Sequence, residues 1–279
     1  LYMADASNPP DLDSSFDLNG NLLCLEGTRG LAWDARNQLQ RVTQVTRDSG
    51  DDEHVFVYHG DGQRARKISV KQAKAAVHVA QVVYLPGLEI RRDTATGEVL
   101  HVISVQTGRC RMRRLQWQEN GRRSLPPAQS RFDVDDHLGS CALELDEHGE
   151  VITHEGYYPT GGSAWWAAKS QTQASGKTIR YSGRERDPTG LYYFDARYYA
   201  PWLNRWINPD PAGAVDGLNF YGFVRNSPMI RVDPDGRDSD DEEVHLTVTH
   251  AQVSKLSKET QDLLRSQQPK AQRSALAAL

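Results

Sequence analysis

YSGRERDPTGLYYFDARYYAPWLNRWINPDPAGAVDGLNFYGFVRNSPMIRVDPDG, from Tyr181 to Gly236, is the stretch that decides the fold. Aromatic strand material such as Tyr192-Tyr193-Phe194 and Tyr198-Tyr199 alternates there with Pro, Gly, Asn and Asp. Those four residues punctuate chains because they favour or tolerate turn conformations. The stretch closes on Asp233-Pro234-Asp235-Gly236, after which the composition changes abruptly.

Upstream, a degenerate unit recurs: an aromatic followed by Asp or His, a Gly-containing turn, then a second apolar run. Phe16 to Leu22, Trp33 to Leu39, Tyr58 to Arg64 and Phe132 to Gly139 are four instances. Asn-Gly and Asp-Gly admit positive φ in two-residue hairpin turns, so each unit reads as strand, tight turn and strand. One hairpin cannot bury its apolar face alone, and such units must stack edge to edge. Val82 to Gly87 also reads as strand and turn, while Gln116 to Gln129 is more loop-like. An unrelated β-sandwich with Gly turns is the other reading of these repeats.

Three further segments follow. Ala164 to Lys169 (AWWAAK) reads as a short helix, with Trp165 and Trp166 as a plug against the wall, and Ser170 to Lys177 as a polar connector. Arg237 to Glu243 carries five acids in its last six residues; such a block repels itself and reads as a linker. Val244 to His250 then alternates like a strand, and Val253 to about Ser266 has helical spacing. Residues 238–279 are too few to close an enzyme core unaided.

The repeats resemble YD repeats, and the segment from His154 to Gly236 resembles the Rhs-repeat-associated core domain, above all that of the C component of insecticidal toxin complexes. The resemblance implies a mainly β fold in which stacked hairpins form a hollow shell, or cocoon, closed by an inward-spiralling core domain. The expected division is 1–153 for the β-shell segment, 154–237 for the core domain, and 238–279 for an acidic linker and variable mixed strand and helix tail.

Chemistry is expected at three residues of the core segment. Arg197 lies within aromatic sequence, where a buried charge is costly unless paired, so it should meet a carboxylate. Two carboxylates held close cannot both ionise, and such a dyad can activate water against a peptide bond. On residue chemistry alone, Asp210 and Asp233 are better read as turn residues, since Asp-Pro is a turn signal wherever it occurs. The family resemblance implies an aspartyl-type autoprotease that uses Arg197, Asp210 and, less firmly, Asp233. It implies a cut just after the Asp233-Pro234-Asp235-Gly236 motif, between Arg237 and Asp238. This chain departs from the family pattern at Arg237, where Leu or Met is usual and an apolar pocket is expected.

Composition narrows the classes. The chain has 279 residues, 38% of them hydrophobic, and a net charge of −4. Its mean hydropathy of −0.65 suits a thin wall wetted on both faces. No general nucleic-acid footprint is visible. Arg111 to Arg114 reads as a solvated strand edge, and the alternating charges of Arg184 to Asp187 as a solvated turn or an internal salt bridge. The nine His are scattered without a metal-binding motif. Cys24, Cys110 and Cys141 form no CxxC pair. No cofactor, metal site or phosphate loop is expected. No run approaches the roughly 18 apolar residues of a membrane span, and the N-terminus reads as neither a signal peptide nor a true start.

The functional expectation is a secreted shell component that encapsulates a C-terminal toxin and releases it by self-cleavage. A B component would complete the shell and an A component would form the channel. The alternatives are a single-chain Rhs effector working with a secretion-system spike or adaptor, a truncated remnant, or a non-enzymatic surface protein that binds carbohydrate or neighbouring cells.

Overall fold

The computed structural model describes residues 15–241, apart from 26–28, 49, 74–75, 108–109 and 120–125. The sequence-based strand at 244–250 and helix at 253–266 lie outside the described residues.

Thirteen strands form one antiparallel sheet in strict chain order, β1 (Cys24–Leu25) to β13 (Ser163–Ala168). The turns between them show why the repeat has its sequence. In Asp34-Ala35-Arg36-Asn37, Asp34 Oδ1 accepts the amides of Arg36 (2.8 Å) and Gln38 (2.9 Å). Asp136 does the same for Leu138 (2.9 Å) and Ser140 (2.8 Å), and Asp146 for His148 and Glu150 (both 2.9 Å). The fourth residue of each turn has positive φ: 61° at Asn37, 75° at Gly139 and 79° at Gly149. A side chain that collects two amides and a residue tolerant of left-handed backbone define the unit. The expected two-residue Asn-Gly and Asp-Gly turns are thereby corrected. Gly20 and Gly62 are fourth residues, and only they, not Asn19 or Asp61, take positive φ.

Middle strands such as β6 (Val77–Leu85) are half-exposed along most of their length and contain no buried residue. A wall wetted on both faces accounts for the polar composition. Gln116 to Gln129 is not all loop, because β9 runs Cys110–Glu119 and β10 starts at Ala128. Nor is Arg111 to Arg114 a solvated edge. β9 is an interior strand, and Arg113, 2% exposed, pairs with Glu144 and with Asp133 at 3.3 Å.

Residues 164–168 are strand, not helix. Trp165 and Trp166 lie on β13, the sheet's last strand, and are 46% and 38% exposed, so they do not plug the wall. Trp165 meets His154 edge-on, while the guanidinium of Arg180 sits 4.8 Å over Trp166. The two adjacent indoles favour a pleated surface over a helix, and β12 (Val151–Tyr157) offers a partner strand. Within the connector, α1 (Gln171–Ala174) is a single helical turn capped by Ser170. The boundary expected at 153/154 falls inside β12, and the large sheet continues to Ala168.

A second sheet comprises β14 (Glu185–Arg186), β15 (Tyr192–Phe194), β16 (Arg197–Ala200) and β17 (Arg205–Trp206). Strand alternation sends its side chains into two different cores. Leu191, Tyr198 and Ala200 pack with Leu31, Leu39, Val42 and Phe56 of the large sheet. Tyr192, Phe194, Tyr199 and Trp206 pack with Tyr181, Phe223 and Val224. Both faces are covered, which explains aromatic strands with almost no polar partner face. Charged Arg197 therefore has no route to water.

Candidate self-cleavage site

Arg197 follows the β15–β16 turn and shares the face of Tyr199, so its side chain enters the aromatic cluster and is 1% exposed. The guanidinium lies 4.2 Å from the centre of the Trp206 ring. Its donors are spent on two acids and two carbonyls. One Nη contacts Asp210 at 2.8 Å and the Phe220 carbonyl at 3.4 Å. The other reaches Asp233 at 3.2 Å, and Nε donates to the Gly236 carbonyl at 2.6 Å. The structure thus brings all three sequence-predicted residues together, with the guanidinium as the bridge between the two carboxylates.

The terminal motif is a repeat turn put to another use. Asp233 Oδ1 accepts the amides of Asp235 (3.2 Å), Gly236 (2.6 Å) and Arg237 (3.2 Å). Gly236 is its fourth residue, with φ 78°. The Ala196 amide donates to the Asp235 carbonyl at 3.0 Å, which docks the motif onto the β15–β16 turn. A Cβ on Gly236 would stand 2.3 Å from the Phe194 carbonyl oxygen and 3.0 Å from the Arg197 nitrogen. Gly236→Ala is therefore expected to combine backbone strain of about 1–3 kcal/mol with displacement of the docked turn. A lower thermal unfolding midpoint should show it, with the exposed Asp235→Asn as a near-parental control.

One cation faces two buried acids, and that imbalance sets the protonation. Burial pushes Asp233 up to about 6, against Arg197 and the amides of Gly236 and Asp235. Burial also raises Asp210, opposed by the Ala212 amide and Arg197. Arg197 itself is lowered by burial, despite both acids. Burial against a single cation thus favours a retained proton on Asp233 up to about pH 6.

Past the motif, β18 (Arg231–Val232) pairs with β19 (Asp240–Asp241), making the Asp233–Ser239 segment the loop of a hairpin. The expected scissile bond, Arg237–Asp238, lies in that loop, with both residues exposed. Arg237 occupies no dry pocket, contrary to expectation. Its side chain, 49% exposed, pairs with Asp235 at 2.9 Å, upstream of the bond. The guanidinium stays solvated, which removes the desolvation cost expected of a charge here.

Sequence reasoning missed Asp216. Its Oδ1 accepts the Ser239 hydroxyl at 2.9 Å and the Arg225 Nε at 3.0 Å. An Asp-Gly pair in a loop carries no mark that separates such an acid from an ordinary turn residue. A cavity of about 510 Å³ lies elsewhere, lined by residues such as Lys67, Arg91, Arg131 and Lys177, and includes none of Arg197, Asp210 or Asp233. Among the described residues no His, Cys, Asp and Glu cluster could hold a metal ion, and no helix is long and apolar enough to cross a membrane.

A meander of Asp-x-x-Gly hairpins that ends in an aromatic core domain with a buried Arg–Asp cluster defines an Rhs/YD-repeat shell protein. No family model matches the chain. It is 44% identical over 234 residues to Toxin subunit YenC2 of Yersinia entomophaga, which covers 82% of this chain and 24% of that protein. Toxin subunit YenC1 of the same organism is 39% identical over 230 residues, 81% of this chain and 24% of that protein. The crystal structure of TcdB2-TccC3 is 48% identical with a TM-score of 0.79, covering 82% of this chain and 11% of the matched one. The chain belongs to the Rhs/YD-repeat family and is of the type of the C component of insecticidal toxin complexes. It spans about a quarter of the length of these curated relatives.

Proposed function

We propose that this chain is the closing part of a toxin shell that cuts its own backbone between Arg237 and Asp238, leaving a C-terminal toxin enclosed but unattached. The observation that carries the reading is the contact of Arg197 with Asp210, Asp233 and the Gly236 carbonyl, one residue before that bond. In the proposed step, one carboxylate takes a proton from water, whose oxygen adds to the Arg237 carbonyl carbon. The protonated partner polarises that carbonyl and returns a proton to the departing nitrogen. The C–N bond breaks, giving a carboxylate on Arg237 and an amine on Asp238. Arg197 contributes by holding both acids and the preceding carbonyl in place, which is positional and electrostatic work.

The relatives' names place them among toxin subunits, and TcdB2-TccC3 pairs two subunits in one solved structure. By extension, the partners of this chain are a B-type subunit that completes the shell, an A-type channel, and the enclosed toxin. The proposed destination is extracellular. Denaturing electrophoresis of the purified full-length protein should give two pieces, and mass spectrometry should place the new terminus at Asp238. A single intact chain would refute the reading.

Cleavage should also depend on pH with a fixed sign. If Asp233 supplies the retained proton, its protonated fraction is half near pH 6 and falls about tenfold per pH unit above that. The rate in precursor made by cell-free synthesis should fall in parallel between pH 6 and 8; a rate that rises over that range would exclude Asp233 as donor. The same shift links to stability. This group's contribution is fully present below the ordinary 3.8 and is lost as pH rises through about 6.

A further inference from the structure

The two residues of the proposed scissile bond are exposed, but the residues on either side of them are buried. Gly236 is held by Arg197 and Asp233. Ser239, 5% exposed, is held by Asp216, whose side chain is 8% exposed. The Ser239 hydroxyl donates to Asp216 Oδ1 at 2.9 Å, and its backbone amide bonds to the same carboxylate. Arg225 Nε donates to that same oxygen at 3.0 Å. Asp216 belongs to the core domain, whereas Ser239 lies beyond the bond, at the end of the loop that leads into β19 and would leave with the toxin. An acid that spends its hydrogen bonds on the departing side of a peptide bond does nothing for the wall after cleavage.

We infer that Asp216 is a positioning residue for self-cleavage: it clamps Ser239 and so holds the Arg237–Asp238 bond taut between two fixed points. This rests on the self-cleavage reading. With the downstream clamp released, the loop keeps only its upstream anchor, and the reactive geometry is populated for a smaller share of the time. A hydrogen bond to a charged group is strong enough for its loss to slow the reaction about tenfold or more.

The test is a set of variants in the full-length chain, each followed by a time course of cleavage with the new terminus read by mass spectrometry. Asp216→Ala, which loses both bonds to Ser239, should be slowed most, and Ser239→Ala less, since its amide remains. Asp216→Asn keeps an acceptor and should recover much of the parental rate, as should Ser239→Thr, which keeps the hydroxyl. The Asp216→Ala, Ser239→Ala double variant should be no slower than Asp216→Ala alone, because the two act through one contact. A merely structural role would not produce this pattern of rescue and non-additivity at an unchanged thermal midpoint. A parent that cleaves while Asp216→Ala and Ser239→Ala keep its rate, or additive losses without rescue, would overturn the clamp and leave the self-cleavage reading standing. A parent that stays intact would overturn that reading, and the clamp with it.

Discussion

Asp210→Asn is expected to leave the full-length chain uncut over times in which the parent separates into two pieces. The substitution keeps the volume and one acceptor oxygen, so Arg197 retains a partner, but no ionisable group remains to take a proton from water. Loss of a positioned acid or base costs typically 10²–10⁴-fold. Arg197→Ala should be as severe by a different route. It leaves two buried acids without their shared cation, and it frees the Gly236 carbonyl. Both acids should then rise further and hold protons, so Arg197→Ala should also lower stability, which Asp210→Asn should not. Intact protein from both variants, with a lowered unfolding midpoint only for Arg197→Ala, is the expected pair of results. Parental cleavage in Asp210→Asn would remove the aspartyl mechanism from this chain.

Arg197 was legible before the fold because a charge among aromatics is a rare pattern with few physical solutions, whereas Asp210 and Asp233 were singled out only by the family resemblance and otherwise read as turn residues. The neighbours of this trio were not legible. Asp216 becomes informative only when a loop distant in sequence delivers Ser239 to it, 23 residues away. Arg237 was misjudged because one departure from a family pattern was read as a charge in a dry pocket; the exposed pair with Asp235 depends on a hairpin visible only in three dimensions. The meander itself was readable from the Asp and Gly punctuation, although the turn proved to be a four-residue unit closed by the Asp side chain. Trp165 and Trp166 misled because alanines on both sides suggested a helix, and the edge of β12 decided otherwise.

The alternating charges from Arg184 to Asp187 left a solvated turn and an internal bridge equally open, and the structure shows what separates them. Glu185 and Asp187 turn inward onto Arg64 and Lys67, carried by β5 (Arg64–Gln72) of the wall. Asp187 meets Arg64 and Lys67 at 2.7 Å each, and its side chain is fully buried. Glu185 meets both at 2.5 Å and accepts the Tyr84 hydroxyl at 2.7 Å. Two cations and two acids balance, and the Tyr193 ring covers Arg64 at 4.2 Å. Burial alone would raise Glu185, but Lys67, Arg64 and Arg91 hold it well below the ordinary carboxylate range. Its contribution to stability is therefore present above that range and lost as pH falls below it, opposite in sign to Asp233.

The balanced quartet joins the small sheet to the wall, so its failure should release one from the other. Asp187→Ala leaves two buried cations with a single acid, an imbalance that costs roughly 3–5 kcal/mol when one partner of a buried pair is removed. The expected result is a large fall in the unfolding midpoint of the full-length chain and new proteolytic cuts near residues 184–190. Self-cleavage should fall too, because Tyr198 belongs to the same packed layer and neighbours Arg197 on β16. Removing a matched pair, as in Lys67→Met with Asp187→Leu, restores the charge balance and should recover much of the loss. If Asp187→Ala unfolds like the parent while its cleavage rate drops, the quartet would be tuning the site rather than joining the two sheets.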